Sequence, residues 1–212
     1  MMADCPRCGA KLETPLGCHA CGVLFSPESP PTPFAALGVE PVYRLDQAEL
    51  KRRLLRLSRT MHPDYFGSGD EEQRRLAERN SAELNRAFAI LADDWKRADW
   101  LVSWLGGPDE VRERAMPQAF LAEVLEWNEA LEAARAAAPG GEERRALDSL
   151  EGELRAQRGT AFAALASLLE PLPSRGDASL LEARRQLNAL RYLDRTLAEI
   201  EALRLEEATS RR

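Results

Sequence analysis

Aromatic residues make up only 6% of the 212-residue chain, and histidine occurs twice. No apolar run is long enough to span a bilayer, which excludes an integral helical membrane protein. The opening residues, Met1-Met2-Ala3-Asp4-Cys5, lack the basic-then-apolar order of a secretory signal. They also lack the arginine-rich amphipathic pattern of a transit peptide, so a cytoplasmic location is expected. No glycine-rich phosphate loop is present. His62 has no convergent nucleophile or carboxylate cluster beside it, so the chain is not expected to be an enzyme. A net charge of −6 argues against a surface given over to nucleic acid.

Cysteine is absent beyond residue 21, and all four cysteines lie before that point. Cys5-Pro6-Arg7-Cys8 and Cys18-His19-Ala20-Cys21 are two CxxC pairs nine residues apart. Each pair can form a turn that aims two thiolates at one ion, and two such turns make a tetrahedral S4 site. Gly9 and Gly22 follow the pairs, where a knuckle can need positive φ. The expected cofactor is one structural Zn²⁺ per chain, held by Cys5, Cys8, Cys18 and Cys21; iron–thiolate sites share the geometry. A redox dithiol is the rival, but no βαβ pattern surrounds the pairs. His19 is either a substitute ligand or an exposed bystander.

What remains is rich in Ala, Leu, Glu and Arg, which favours helices. Ser26-Pro27-Glu28-Ser29-Pro30-Pro31-Thr32-Pro33 reads as a stiff extended linker. Asp46 and Glu49 look like a helix cap and its return partner, followed by Leu50, Leu54, Leu57 and Met61 at helical spacing. Pro63 and Gly67-Ser68-Gly69 interrupt the pattern, and Asp70 with Gln73 can start the next helix, whose apolar face is Leu76, Leu84, Phe88 and Leu91. A short helix from Asp94 to Leu105 closes at Gly106-Gly107-Pro108. Three long helices follow at Gln118–Ala138, Glu142–Leu169 and Ser179–Glu207, separated at Pro139-Gly140-Gly141 and between Pro171 and Gly176. Short connections between long amphipathic helices imply an antiparallel three-helix bundle.

Two surfaces stand out. Lys51, Arg52, Arg53, Arg56 and Arg59 lie off the leucine stripe of a helix that ends in His62-Pro63-Asp64. A solvated helix face is the ordinary explanation, and nucleic-acid binding another; a cationic face can equally recognise an acidic groove, with Pro63 stiffening the corner. In the helix from Gln118, Phe120, Val124, Trp127 and Leu131 share the core stripe, while Leu121 and Leu125 point elsewhere with Ala122, Glu126, Glu129 and Ala133. Packing against a neighbour would explain them; so would a partner surface with leucines at its centre and glutamates at its rim. Tyr192 lies off the stripe Leu187, Leu190, Leu193, Leu197, Ile200.

Phe34-Ala35-Ala36-Leu37-Gly38-Val39, the His-Pro-Asp corner and Asn85-Arg86-Ala87-Phe88 with Leu91 resemble a J-domain. Arg97-Ala98-Asp99-Trp100-Leu101, the Phe120–Glu129 segment and Leu190-Arg191-Tyr192-Leu193-Asp194 resemble the HscB co-chaperones of iron–sulfur cluster assembly. The tetracysteine module resembles that of the eukaryotic members, as does the Tyr65-Phe66 pair standing where many J-domains have Lys after the Asp. The resemblance implies an all-α, L-shaped molecule: a zinc-ribbon-like module (1–25), a Pro-rich linker (26–33), a J-domain (34–106) and a C-terminal three-helix bundle (117–208). It implies that His62, Pro63, Asp64 and the five cations contact an HscA- or DnaK-type ATPase and stimulate it. It further implies that Leu121, Ala122, Leu125, Glu126, Glu129 and Tyr192 bind the scaffold IscU, with Ala122 standing where a larger apolar residue is common and Ala133 where an acid is common. No membrane or nucleic acid partner is expected. The alternatives are a general J-domain co-chaperone for unfolded clients and a nucleic-acid-binding zinc protein.

Overall fold

The computed structural model describes residues 3–66, 71–138 and 140–210. The breaks expected at Gly67-Ser68-Gly69 and Pro139 and the helix start expected at Asp70 lie outside these residues. The described residues are helical apart from isolated bridges in the Cys module, and they fall into two compact units, Met1–Trp100 and Leu101–Arg212.

Among the described residues, the first unit carries three helices, one 3-10 turn and most of a fourth helix. Helix α1, Pro33–Leu37, starts where Thr32 caps the Ala35 N–H and stops at Gly38, whose φ is +65°. Helix α2, Gln47–Thr60, is capped by Asp46, which accepts from the Ala48 and Glu49 amides at 2.9 and 3.0 Å. Glu49 is engaged downstream, by Arg52 at 3.0 Å and Arg53 at 3.1 Å. The 3-10 turn Pro63–Phe66 leads to α3, Glu71–Leu91, and α4, Asp94–Trp104, follows. The buried stripe of α3 is Ala77, Asn80, Leu84, Ala87 and Leu91, one step round from the expected one, with Leu76 and Phe88 at its edge. Small residues on that stripe let α1 and the Cys module come close. Arg97 is buried; it donates to the carbonyls of Tyr43 (2.5 Å) and Leu91, pairs with Asp94, and lies 5.3 Å over the Tyr43 ring. That staple accounts for an arginine in the segment after α3.

The Cys module is built into this unit. Leu16 and Leu24 are buried. Asn80 on α3 donates its amide to the Leu16 carbonyl at 2.8 Å and the Phe25 carbonyl at 3.0 Å. Arg79 reaches Ser26 Oγ at 2.8 Å, and Arg56 on α2 reaches the Glu13 carboxylate at 2.5 Å. A Cβ on Gly38 would lie 2.1 Å from the Glu13 carbonyl oxygen, so the module backbone rests directly on that glycine. The Pro-rich segment is held at both ends, by Arg79 on Ser26 and by the Thr32 cap.

The second unit contains α5, Gln118–Ala136, α6, Glu142–Leu169, and α7, Ser179–Ser210. Phe120, Trp127 and Leu131 of α5 meet Leu147, Leu150 and Leu154 of α6 and Leu193, Ile200 and Leu203 of α7 in one core. Interhelical pairs ring it, including Arg135 with Glu199 (2.7 Å) and Arg158 with Asp194 (2.6 Å). The loop before α5 is tied to α7 by Arg184, bonded to the Pro108 carbonyl at 2.9 Å, and by Asn188.

Candidate functional site: thiol cluster, His-Pro-Asp corner and α5 face

The two CxxC turns repeat one hydrogen-bond pattern. Cys5 N–H donates to the Ala10 carbonyl and Gly9 N–H to the Cys5 carbonyl; Cys18 N–H donates to Val23 and Gly22 N–H to Cys18. Gly9 and Gly22 sit at φ +73° and +71°, where a side chain would be strained. The knuckles face each other, with Cys5 Sγ 3.8 Å from Cys21 and Cys8 Sγ 3.7 Å from Cys18. All four sulfurs lie within 4.8 Å of one another, an arrangement able to hold a metal ion. Metal–sulfur arms of ~2.3 Å give a tetrahedral edge of ~3.8 Å, which matches both pairs.

The charge balance fits as well. Burial opposes ionisation of Cys18, but the amides of Cys21 and Ala20 and the thiols of Cys8 and Cys21 outweigh it and bring the thiol to about 6. Cys8 goes the other way: the Ala10 amide favours its thiolate, but Cys21, burial, Cys18 and Cys5 push it up to about 12. One sulfur ionises readily and another resists because four thiolates cannot share so small a volume without a cation. His19 is exposed and leans on Glu13 at 3.7 Å, outside the sulfur cluster.

The His-Pro-Asp corner is open to solvent. His62 Nδ1 accepts from the Asp64 amide at 3.3 Å and lies 3.5 Å from the Asp64 carboxylate. The Tyr65 amide donates to the His62 carbonyl, and the Tyr65 ring, 73% exposed, meets the imidazole edge-on at 6.3 Å. Leu55, Ser58 and Arg59 line a shallow depression together with His62, Asp64 and Tyr65. Of the five cations, Lys51, Arg52, Arg56 and Arg59 are exposed. Arg53 turns inward to the Gly38 carbonyl at 2.7 Å, and Arg56 is held by Glu13. Sequence reading missed Leu55, which is 51% exposed in the middle of this face. Its signal was available, since a leucine off the stripe of its helix needs a reason.

On α5, the apolar residues off the core stripe are exposed. Leu121 and Leu125 are 52% and 62% exposed, and Ala122, Glu126 and Glu129 are exposed beside them. Tyr192 is half-buried on α7. Its ring meets Phe120 edge-on at 6.0 Å, and its hydroxyl donates to Asn128 Oδ1 at 2.8 Å. Asn128, three residues beyond Leu125, places Tyr192 at the border of the leucine face; nothing in the sequence singled it out.

Residues 116–201 match the family model described as the HSCB C-terminal oligomerisation domain. A curated co-chaperone protein HscB homolog from Burkholderia thailandensis is 37% identical over 162 residues, 76% of this chain and 86% of that one. The chain belongs to the HscB co-chaperone family. A second HscB homolog, from Paraburkholderia phymatum, is 35% identical over 169 residues, covering 79% of this chain and 90% of its own length. The human HscB crystal structure has a TM-score of 0.72 over 96% of this chain and 100% of its own. At 24% identity that likeness concerns the fold, and its span has to include most of the Cys module. HscB from Vibrio cholerae has a TM-score of 0.67 at 25% identity, over 83% of this chain and 99% of that one. HscB membership bears out the family expected from sequence and the all-helical class. No helix among the described residues is long and apolar enough to cross a membrane.

Proposed function

We propose that the chain stimulates the ATPase of an HscA- or DnaK-type chaperone and delivers an IscU-type iron–sulfur scaffold to it. The observation that carries the delivery half is the exposure of Leu121 and Leu125 on a bundle whose core is complete without them. Large apolar side chains clustered on one helix face, rimmed by Glu126 and Glu129, have the make-up of a protein interface. Leu121, Ala122, Leu125, Glu126, Glu129 and Tyr192 form the scaffold contact, within a bundle domain taken as residues 117–208.

The chaperone contact is the corner His62, Pro63 and Asp64 with Lys51, Arg52, Arg56 and Arg59, and Leu55 at its centre. Arg53 borders it. The J-domain runs over residues 34–106, after the module of 1–25 and the segment 26–33. Exposed cations speed encounter with an acidic groove, and the rigid corner supplies the contact that changes hydrolysis. The ion at Cys5, Cys8, Cys18 and Cys21 is Zn²⁺, one per chain; with all four positions taken by thiolates it serves structure. The protein acts in the cytoplasm, on the ATPase rather than as one.

The test is steady-state ATPase of the cognate chaperone with this protein, with and without the scaffold. Stimulation by the protein alone and further stimulation with scaffold support the reading. Stimulation that an unfolded polypeptide reproduces and the scaffold does not would make it a general co-chaperone instead.

A further inference from the structure

A second feature touches the α5 face from the α7 side. Beside Tyr192 lies a depression of about 230 Å³, lined by Arg114, Arg191 and Arg195 with the single carboxylate of Glu110. Arg191 pairs with Glu110, and Arg195 lies 3.2 Å from Glu199, which Arg135 also engages at 2.7 Å. Arginine therefore outnumbers carboxylate here, in a chain whose net charge is −6. The position of Arg114 is fixed from α7: Asn188 donates to the carbonyls of Glu113 (3.0 Å) and Ala115 (2.9 Å), the residues on either side of it.

Tyr192 joins this depression to the leucines. Its ring forms part of the wall, and its hydroxyl holds Asn128 on α5. At 100° per residue, Asn128 lies on one side of Leu121 and Leu125 while Ala122, Glu129 and Glu126 lie on the other. Three zones thus follow in order: arginines around Tyr192, exposed leucines, then carboxylates.

We propose that this strip is one interface of graded charge, and that an acidic side chain of the scaffold enters the depression formed by Arg114, Arg191 and Arg195 beside Tyr192. The inference rests on the scaffold-binding reading and adds its polarity. Guanidinium forks suit a carboxylate, here in a hollow open to solvent in which Arg191 and Arg195 are 56% and 78% exposed. A surface positive at one end and negative at the other accepts its partner in one orientation, because the reverse docking sets like charges against each other.

The test uses the full-length protein and the purified IscU-type scaffold, with binding followed by titration at two salt concentrations. Arg114→Glu with Arg195→Glu is expected to weaken binding at least tenfold at low ionic strength. The deficit should shrink toward about threefold near 0.5 M salt, where the Debye length is a few ångströms. Arg114→Glu alone, on an exposed loop residue, should show a smaller loss of the same salt dependence and serves if the double variant fails to fold. Unchanged affinity in these variants, with binding still lost in Leu121→Ala plus Leu125→Ala, overturns the arginine zone and leaves scaffold binding standing. Absence of binding by the unaltered protein overturns both. A change confined to self-association, read by sedimentation, would make the strip a contact between copies of this chain and refute the proposal.

Discussion

Removing one amide should show whether the thiol module is a working part of the first compact unit. Asn80 is 1% exposed, on the buried stripe of α3, and its amide nitrogen is shared by the carbonyls of Leu16 and Phe25. Asn80→Ala deletes both hydrogen bonds; the Leu16 carbonyl keeps the Phe25 N–H at 2.9 Å, while the part-buried Phe25 carbonyl loses its amide partner. A net bond is worth ~1 kcal/mol, and an orphaned buried acceptor costs ~1–3 kcal/mol, so the loss should be ~2–4 kcal/mol. For a unit of about 100 residues, each kcal/mol moves Tm by ~4–8 °C, which predicts a fall of the order of 10–20 °C in the transition of that unit. The same substitution releases the segment that runs from Cys18 to Phe25, so metal should leave faster.

Two assays check this together: thermal unfolding followed by calorimetry, and metal transfer to a chromophoric chelator. An Asn80→Ala protein whose Tm falls by less than about 3 °C, equivalent to under ~1 kcal/mol, and whose metal release is unchanged would refute the reasoning. The module would then be a passenger on its segment, and the contacts from Arg56, Arg79 and Gly38 would be incidental.

His62→Gln should abolish ATPase stimulation while circular dichroism and Tm stay put, since the imidazole is exposed and serves no core; a retained stimulation would remove the corner from the mechanism. Leu121→Ala with Leu125→Ala should lose capture of the scaffold without loss of Tm, because neither side chain belongs to the bundle core; undiminished capture would sink the proposed face. The Glu49 amide holds the Asp46 carboxyl below its ordinary value of 3.8, with help from Ala48 and Arg52 against burial. A depressed native value means that the cap contributes fully above the ordinary carboxylate range, and the contribution disappears as pH falls through the native value. Asp46→Asn keeps the acceptor but removes that titration, so the difference in Tm between the two proteins should vary with pH only below about 5. Chelation of the metal, or Cys8→Ser with Cys21→Ser, should raise hydrogen exchange along α3 near Asn80; exchange confined to residues 3–25 would show that the coupling is absent.

The features that could be read in sequence depended on local rules. Two CxxC turns at equal spacing specify a closed sulfur cluster wherever they sit, and the knuckle glycines at 9 and 22 adopt the positive φ that the turn demands. Helices α5, α6 and α7 fall within a few residues of the expected bounds because Pro and Gly punctuate a long periodic pattern. Leu121 and Leu125 were legible for the same reason, as apolar residues that a defined stripe did not need.

What escaped depended on which surfaces meet. Periodicity placed Arg53 with the exposed cations of α2, but it could not say that Gly38 offers it a carbonyl, nor that Glu13 offers a carboxylate to the exposed Arg56. Nor could it show that Ser26–Pro33 joins two parts already in contact. One residue did carry that information. Asn80 falls in phase with Ala77, Leu84, Ala87 and Leu91, and a polar side chain on a buried stripe must find partners there or cost several kcal/mol. Those partners are the Leu16 and Phe25 carbonyls of the segment packed against α3. Read in that way, a single amide at position 80 implies that whatever fixes the metal also fixes the ground on which α2 and its His-Pro-Asp corner stand, since Gly17 of the same module abuts the side chain of Met61 next to His62.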